Sequence, residues 1–202
     1  AMNLNAYLFF NGGASTEIDT PKGPALVPAT GDDVVALSVP ESRYVLTLDA
    51  DSMLLRDYCL RLVERLETPG WERVAVIQTP YSSYRGAPTR IERLAGATTD
   101  VQHLLHQGMT YYDATFWVGA NAVIRSRALE DIASTEIVDG FPITTYIQDA
   151  TVIEDTESSI DLGDHGWTLS NYPERLSYSA TPPDFGSLVV QRRRWANGGL
   201  LI

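Results

Sequence analysis

The segment Tyr44-Val45-Leu46-Thr47-Leu48-Asp49-Ala50-Asp51 decides how this chain is read. Its first five residues form a near-continuous, partly β-branched apolar run, which predicts a strand covered on both faces of a sheet. The run ends on two carboxylates at i and i+2. At the carboxyl end of a buried strand, such a pair lies near the crevice where open α/β sheets bind ligands. Oxygen donors there suit a hard divalent cation, Mg2+ or Mn2+, held jointly with the phosphates of a nucleotide. The competing reading of Asp49 and Asp51 is a turn and helix N-cap.

On the carboxyl side, residues 56–67 repeat apolar groups at Cys59, Leu62, Val63 and Leu66, a helical spacing that Thr68-Pro69-Gly70 stops. Val74-Ala75-Val76-Ile77 then predicts a second buried strand. Strand, helix and strand in this order give a βαβ unit, an α/β class and a mainly parallel sheet with flanking helices. Residues 90–109 read as a helix with Ile91, Leu94, Val101, Leu104 and Leu105 inward. Residues 116–124 read as a strand that Gly119 breaks. Residues 151–165 read as a helix ended by Gly166, residues 167–169 as a short strand and residues 184–197 as a last helix. On the amino side, residues 2–10 have a helix-like apolar face. Residues 11–43, rich in Gly, Pro, Thr and acids, read as loop with a short strand near residues 34–37.

The 202 residues carry 26 acidic and 15 basic side chains, a net charge of −11. That excludes nucleic-acid binding through a general basic surface. The single cysteine, Cys59, allows neither an intrachain disulfide nor a cysteine-based zinc site. With 44% hydrophobic and 20% charged residues, the chain is neither a disordered tail nor a fibre. No apolar run reaches about 18 residues and no charged-then-apolar leader is present, so the chain by itself is expected to be soluble. It opens inside a helix-like pattern without a cap and closes on the cut apolar segment Gly198-Gly199-Leu200-Leu201-Ile202, the pattern of a piece from a longer protein.

Two further clusters carry chemistry. Glu154-Asp155-Thr156-Glu157 opens a helix, where carboxylates are favoured by the macrodipole alone. With Gln148-Asp149 just upstream, so many acids in a short stretch repel one another and raise some pKa values, as a general base requires, and Asp155 is the candidate. Gln191-Arg192-Arg193-Arg194-Trp195 concentrates three arginines in an acidic chain, a positive site able to clamp a diphosphate, beside an indole able to stack on a sugar. Packing of Trp195 in an amphipathic helix is the alternative, and the basic stretch also suits the cytoplasmic flank of a membrane span.

Taken in order, D-A-D at 49–51, F-W-V-G-A-N at 116–121, E-D at 154–155 and Q-R-R-R-W at 191–195 resemble the motifs of family 2 glycosyltransferases of the processive, membrane-embedded, cellulose-synthase-like kind. Asn3-Leu4-Asn5 resembles the N-x-N that follows this family's nucleotide-binding segment. The resemblance implies a GT-A fold, with residues 1–202 a fragment of a single catalytic domain whose N-terminal nucleotide-binding part lies outside it. It implies transfer of a sugar from a nucleotide sugar, UDP-linked, to the end of a growing β-glycan with inversion. Asp49 and Asp51 would hold the divalent cation and the diphosphate, Asp155 would be the general base with Glu154 beside it, and Gln191, Arg194 and Trp195 would face diphosphate and acceptor. Gly119 and Asn121 would lie at the acceptor-terminus pocket. Two departures stand out: Ile153 replaces the family's Thr, and Ala120-Asn121 replaces its usual Cys-Gly-Ser-type ending.

The implied setting is the cytoplasmic face of the cell membrane, reached through parts of the parent protein outside this chain. The piece alone is expected to be inactive and to bind UDP weakly even with manganese. The alternatives are a non-processive family 2 transferase, a non-catalytic GT-A-like domain and a metal-dependent phosphoryl-transfer enzyme. The synthase reading requires that Asp49, Asp51, Asp155 and Arg194 converge on one crevice.

Overall fold

Strands Tyr44–Leu48 (β4), Val74–Gln78 (β6), Asn121–Arg125 (β8) and Thr168–Asn171 (β11) form the central sheet in the order β11-β6-β8-β4. The computed structural model describes residues 2–119, 121–138, 140–148 and 153–200, with Met2 and Asn3 described by backbone alone. Before the sheet come helix Met2–Phe9 (α1), strands Ala14–Thr20 (β1) and Gly23–Pro28 (β2), and the two-residue strand Leu37–Ser38 (β3). Strand Ser52–Leu54 (β5) and helix Tyr58–Leu66 (α2) lead into β6, followed by strand Tyr81–Ser83 (β7) and helix Arg90–Tyr111 (α3). Helix Ser126–Asp131 (α4), hairpin strands Ser134–Val138 (β9) and Phe141–Thr145 (β10), and helix Glu154–Asp164 (α5) separate β8 from β11. Strand Ser177–Ser179 (β12) and helix Phe185–Gly199 (α6) complete the order.

The α/β class holds, with a mixed sheet. β4 and β6 are parallel to each other, as the βαβ reading requires, but β8 lies between them and runs antiparallel to both; within this sheet β11 and β6 are the strands that pair in parallel. The inserted strand moves β4 to the sheet edge. There Leu46 and Leu48 are exposed while Thr47 is buried, so β4 is not covered on both faces. The central pair behaves as a buried sheet should. Ile77 and Val123 meet Tyr58, Leu62 and Leu66 of α2 on one face. Val76, Ala122 and Ile124 meet Leu129 of α4 and Leu162 of α5 on the other.

The registry Leu48↔Asn121, Gln78↔Ala122 and Asn171↔Gln78 aligns the carboxyl ends of β4, β6 and β11 with the amino end of β8. Each of the three strands continues into one strand of a second sheet, ordered β5-β12-β7. The seam between the two sheets is the edge at which α/β folds bind ligands.

Two further expectations are corrected. Residues 11–43 hold more strand than the one short piece expected: β1 and β2 form a hairpin through Pro21-Lys22, with Gly23 at φ +113°, and the short strand pairing with it is Leu37–Ser38. In α3 the expected inward face is reversed. Leu94, Val101, Leu104 and Leu105 are each more than half exposed, whereas Ala95, Gly96, Thr99, His103 and His106 are buried. The cause is the tightness of the seat. A Cβ at Gly96 would lie 2.5 Å from Ser83 Oγ, so α3 rests on β7 through small and polar residues that leucine could not replace.

His103 is buried under this helix. Its Nε2 accepts a hydrogen bond from the Tyr81 backbone N–H at 3.3 Å, and burial pushes its pKa down to about 4. The folded chain therefore resists a proton that the unfolded chain accepts below about pH 6.5. Stability from this group is expected to be lost as pH falls from about 6.5 to about 4, by about 3 kcal/mol in all. Urea unfolding of wild type and His103→Gln at pH 7 and pH 4.5 reads this difference; a gap between the two proteins that stays constant with pH would contradict it.

Candidate active site

Asp49 and Asp51 follow β4 directly, and the loop they form is tied down by its neighbours. Ser52 N donates to Asp49 O at 2.9 Å, Ser179 Oγ donates to Asp51 Oδ1 at 3.2 Å, and the Tyr84 hydroxyl donates to Asp51 O. Ser52 and Ser179 share a hydrogen bond of 2.6 Å between their hydroxyls. The Asp49 carboxyl is pushed up to about 6, first by partial burial and then by the negative charge of Asp51. Arg194 opposes the rise, and Asp155 and Glu154 add to it. A single carboxyl thus feels the charges of Asp51, Glu154, Asp155 and Arg194.

Asp155 stands in the first turn of α5. Its Oδ1 accepts from Thr156 N at 2.8 Å, and its pKa is raised, chiefly by burial and further by the charge of Glu154. The carboxylate lies against Gly119, where a Cβ would sit 2.6 Å from Asp155 Oδ2; Gly119 is held at φ +82°, a conformation that favours glycine. Ser159 links the two segments, accepting from Trp117 N at 2.9 Å and donating to Asp155 O at 2.7 Å. From the other side Gln78 accepts from Val118 N at 3.0 Å and donates to Phe116 O at 2.8 Å. Residues 116–119 are thereby clamped between β6 and α5, and this clamp sets the glycine beside the carboxylate.

The arginine segment lies on α6, which Asp184 caps by accepting from Ser187 N at 2.9 Å. Arg194 and Gln191 line a cleft of about 550 Å³ together with Asp51, Thr181 and Ser187. The three arginines do not act as one cluster. Arg192 stacks over Trp195 at 4.4 Å and donates to Thr98 Oγ1 at 2.8 Å, which ties α6 to α3 and covers one face of the indole. Arg194 is the arginine turned to the carboxylates.

Asn121 is not brought to this crevice. It is 1% exposed, and its Oδ1 accepts from the Tyr58 hydroxyl at 2.8 Å and from Thr79 Oγ1 at 3.3 Å, inside the sheet. Asn5 of the N-x-N pair serves the backbone, accepting from Tyr146 N and Ile147 N and donating to Ile147 O. Ala120, Asp149, the side chain of Asn3 and the expected helix start at residue 151 lie outside the described residues. Tyr81 was missed by motif reading. Its hydroxyl is pushed up to about 12, first by burial, with Arg192 pulling down and Asp49, Asp155 and Asp51 pushing further up, so it belongs to the same charged crevice. The signal in sequence was its place three residues past the end of β6, the offset that Asp51 has after β4.

Among the described residues no three His, Cys, Asp or Glu side chains gather to hold a metal, and no helix is long and apolar enough to cross a membrane. Residues 44–202 match the family described as glycosyl transferase family group 2. The chain is 27% identical over 176 residues to a protein named cellulose synthase 2 from Novacetimonas hansenii, covering 83% of this chain and 10% of that one. It is 26% identical over 168 residues to the UDP-forming cellulose synthase catalytic subunit of Komagataeibacter sucrofermentans, covering 79% and 20%. It is 28% identical over 163 residues to the glucans biosynthesis glucosyltransferase H of Xanthomonas campestris pv. campestris, covering 77% and 24%. The chain thus spans a quarter or less of the length of these relatives. The mixed α/β architecture is that of a partial GT-A fold, the resemblance to cellulose synthases holds over most of the sequence, and the chain belongs to glycosyl transferase family group 2.

Proposed function

We propose that this chain is the acceptor-side and diphosphate-side part of a processive glycosyltransferase that moves a sugar from a UDP-linked donor to the end of a β-glycan, at the cytoplasmic face of a membrane. The observation that supports it is the cleft lined by Asp51, Gln191 and Arg194, together with an Asp49 carboxyl that feels the charges of Asp51, Arg194 and Asp155. The fold alone would not select this reading, since GT-A-like sheets serve more than one chemistry.

The donor set of the loop fits Mg2+ or Mn2+. Asp49 and Asp51 are hard oxygen ligands, their mutual repulsion is what a dication relieves, and coordination positions remain for phosphate oxygens. When bound, such an ion neutralises charge developing on the diphosphate as it leaves. The protein's own residues do the rest. Arg194 binds a phosphate oxygen through its guanidinium, and Gln191 supplies an amide on the same wall. Asp155 accepts the proton of the acceptor hydroxyl while that oxygen bonds the anomeric carbon and the bond to the diphosphate breaks, which inverts the configuration. Glu154 raises the basicity of Asp155 by its charge. The indole of Trp195 carries the acceptor sugar.

The test is incorporation of radiolabelled sugar from UDP-sugar into alkali-resistant polymer by membranes containing the protein that carries this chain. Polymer made with Mg2+ or Mn2+ and lost on chelation is expected; addition of a single sugar would favour a non-processive transferase, and no incorporation from any UDP-sugar would overturn the reading. Gly119→Ala provides a second check. The added methyl would meet Asp155 Oδ2 at 2.6 Å in a backbone conformation costing about 1–2 kcal/mol for a non-glycine residue. Transfer is expected to fall at least tenfold, with a lowered melting temperature read by calorimetry.

A further inference from the structure

Gln191, Arg194, Trp195 and Gly198 follow one another at i, i+3, i+4 and i+7 and therefore share one face of α6. Gly198 is the buried residue of this helix, and it is seated on Ile153. A Cβ at Gly198 would lie 2.5 Å from Ile153 Cγ2, 3.0 Å from Cγ1 and 3.2 Å from Cβ. The last of these is the branch point of a stiff side chain, so rotamer change cannot make room there.

Ile153 is not an ordinary packing partner. It is the N-cap position of α5, where its carbonyl accepts from Thr156 N at 3.1 Å and Glu157 N at 3.2 Å. Any push on it moves the turn that carries Asp155, two residues on. On the other helix Gly198 is one turn past Arg194. A further tie of α6 runs to α3, where Arg192 donates to Thr98 Oγ1 at 2.8 Å.

We propose that Ile153 and Gly198 form a positioning contact, which sets the Gln191/Arg194 face of α6 in register with the Asp155 carboxylate and so couples the diphosphate clamp to the base. The isoleucine at the cap supplies no side-chain hydrogen bond to the helix; its part is steric. The roles coupled by the contact rest on the transferase reading above, but the contact itself does not.

Size compensation tests it. Gly198→Val, Ile153→Ala and the pair Ile153→Ala/Gly198→Val are compared, with Gly198→Ala as the milder single change should the valine variant fail to fold. The first readout needs no activity. In the 202-residue chain with Cys59→Ser, nitroxide labels at Ala196→Cys on α6 and Asp164→Cys on α5 report the separation of the two helices by electron–electron double resonance. The distance distribution is expected to shift and broaden in Gly198→Val and to return to the wild-type distribution in the pair. The second readout is transfer in membranes, where Gly198→Val should lower kcat about 10²-fold with the KM for nucleotide sugar changed less than about threefold, and the pair should recover most of the loss. An unchanged distance in Gly198→Val, a pair that restores neither readout, or a shifted distance with unchanged kcat would each overturn the proposal. A wild type that transfers no sugar, but whose helices separate and return as described, would uphold the contact and overturn the transferase reading.

Discussion

Asp155→Asn is expected to reduce sugar transfer by about 10²–10⁴-fold while leaving UDP binding within about threefold of wild type. Asparagine keeps the shape of the side chain and its room beside Gly119, yet cannot accept the acceptor's proton. The cause of the large effect is the state of the carboxylate. Burial and the neighbouring Glu154 raise its pKa, and this makes it a better base than a free aspartate. The same shift fixes the sign of the pH dependence. The deprotonated form is the active one, so kcat should fall with falling pH through a midpoint raised from the ordinary aspartate value, and this limb should vanish in Asp155→Asn. Normal polymer yield from the variant would remove Asp155 from the mechanism and leave it as a capping residue of α5.

Arg194→Ala should cost about 10²–10³-fold in kcat/KM, with most of the loss recovered by neither extra metal nor raised donor concentration. Arg194 is the arginine that lines the cleft with Asp51 and lowers the pKa of Asp49; it stands opposite a net accumulation of carboxylates. Its removal leaves the leaving diphosphate facing Asp49, Asp51 and Glu154 with less positive charge. Arg193→Ala serves as the control, since Arg193 is exposed on the same helix. Equal losses from both substitutions would show that the effect is one of general surface charge.

What could be read from sequence was what local pattern dictates. β4, α2, β6 and α6 appeared where short-range apolar spacing and stop residues put them, because those signals are contained within each segment. The antiparallel insertion of β8 between β4 and β6 depends on pairing between residues far apart in the chain, which periodicity does not encode. The reversal of α3 has a different cause. Its apolar stripe marks a face, but the depth of its seat on Ser82 and Ser83 admits only the small face that carries Gly96. In the site, carboxylates and arginines were legible because they are chemically scarce in apolar surroundings and come in motif order. The work of Asn121 was not, since an asparagine looks alike whether it meets a ligand or satisfies Tyr58 inside the sheet. The Ile153–Gly198 contact arises from two elements crossing, which no local pattern encodes.

The claim on which the account rests is that the loop after β4, the turn before β8, the start of α5 and the face of α6 enclose one ligand site. Paramagnetic broadening of amide signals in the isotopically labelled chain, with substoichiometric Mn2+ and UDP, measures this directly and tolerates weak binding. Broadening is predicted at Asp49, Asp51, Gly119, Asp155, Gln191 and Arg194 together, and at none of them in Asp49→Asn/Asp51→Asn. Broadening confined to the loop after β4, or centred on the separate cleft lined by Arg43, Arg73 and Arg127 at the opposite end of the sheet, would contradict it.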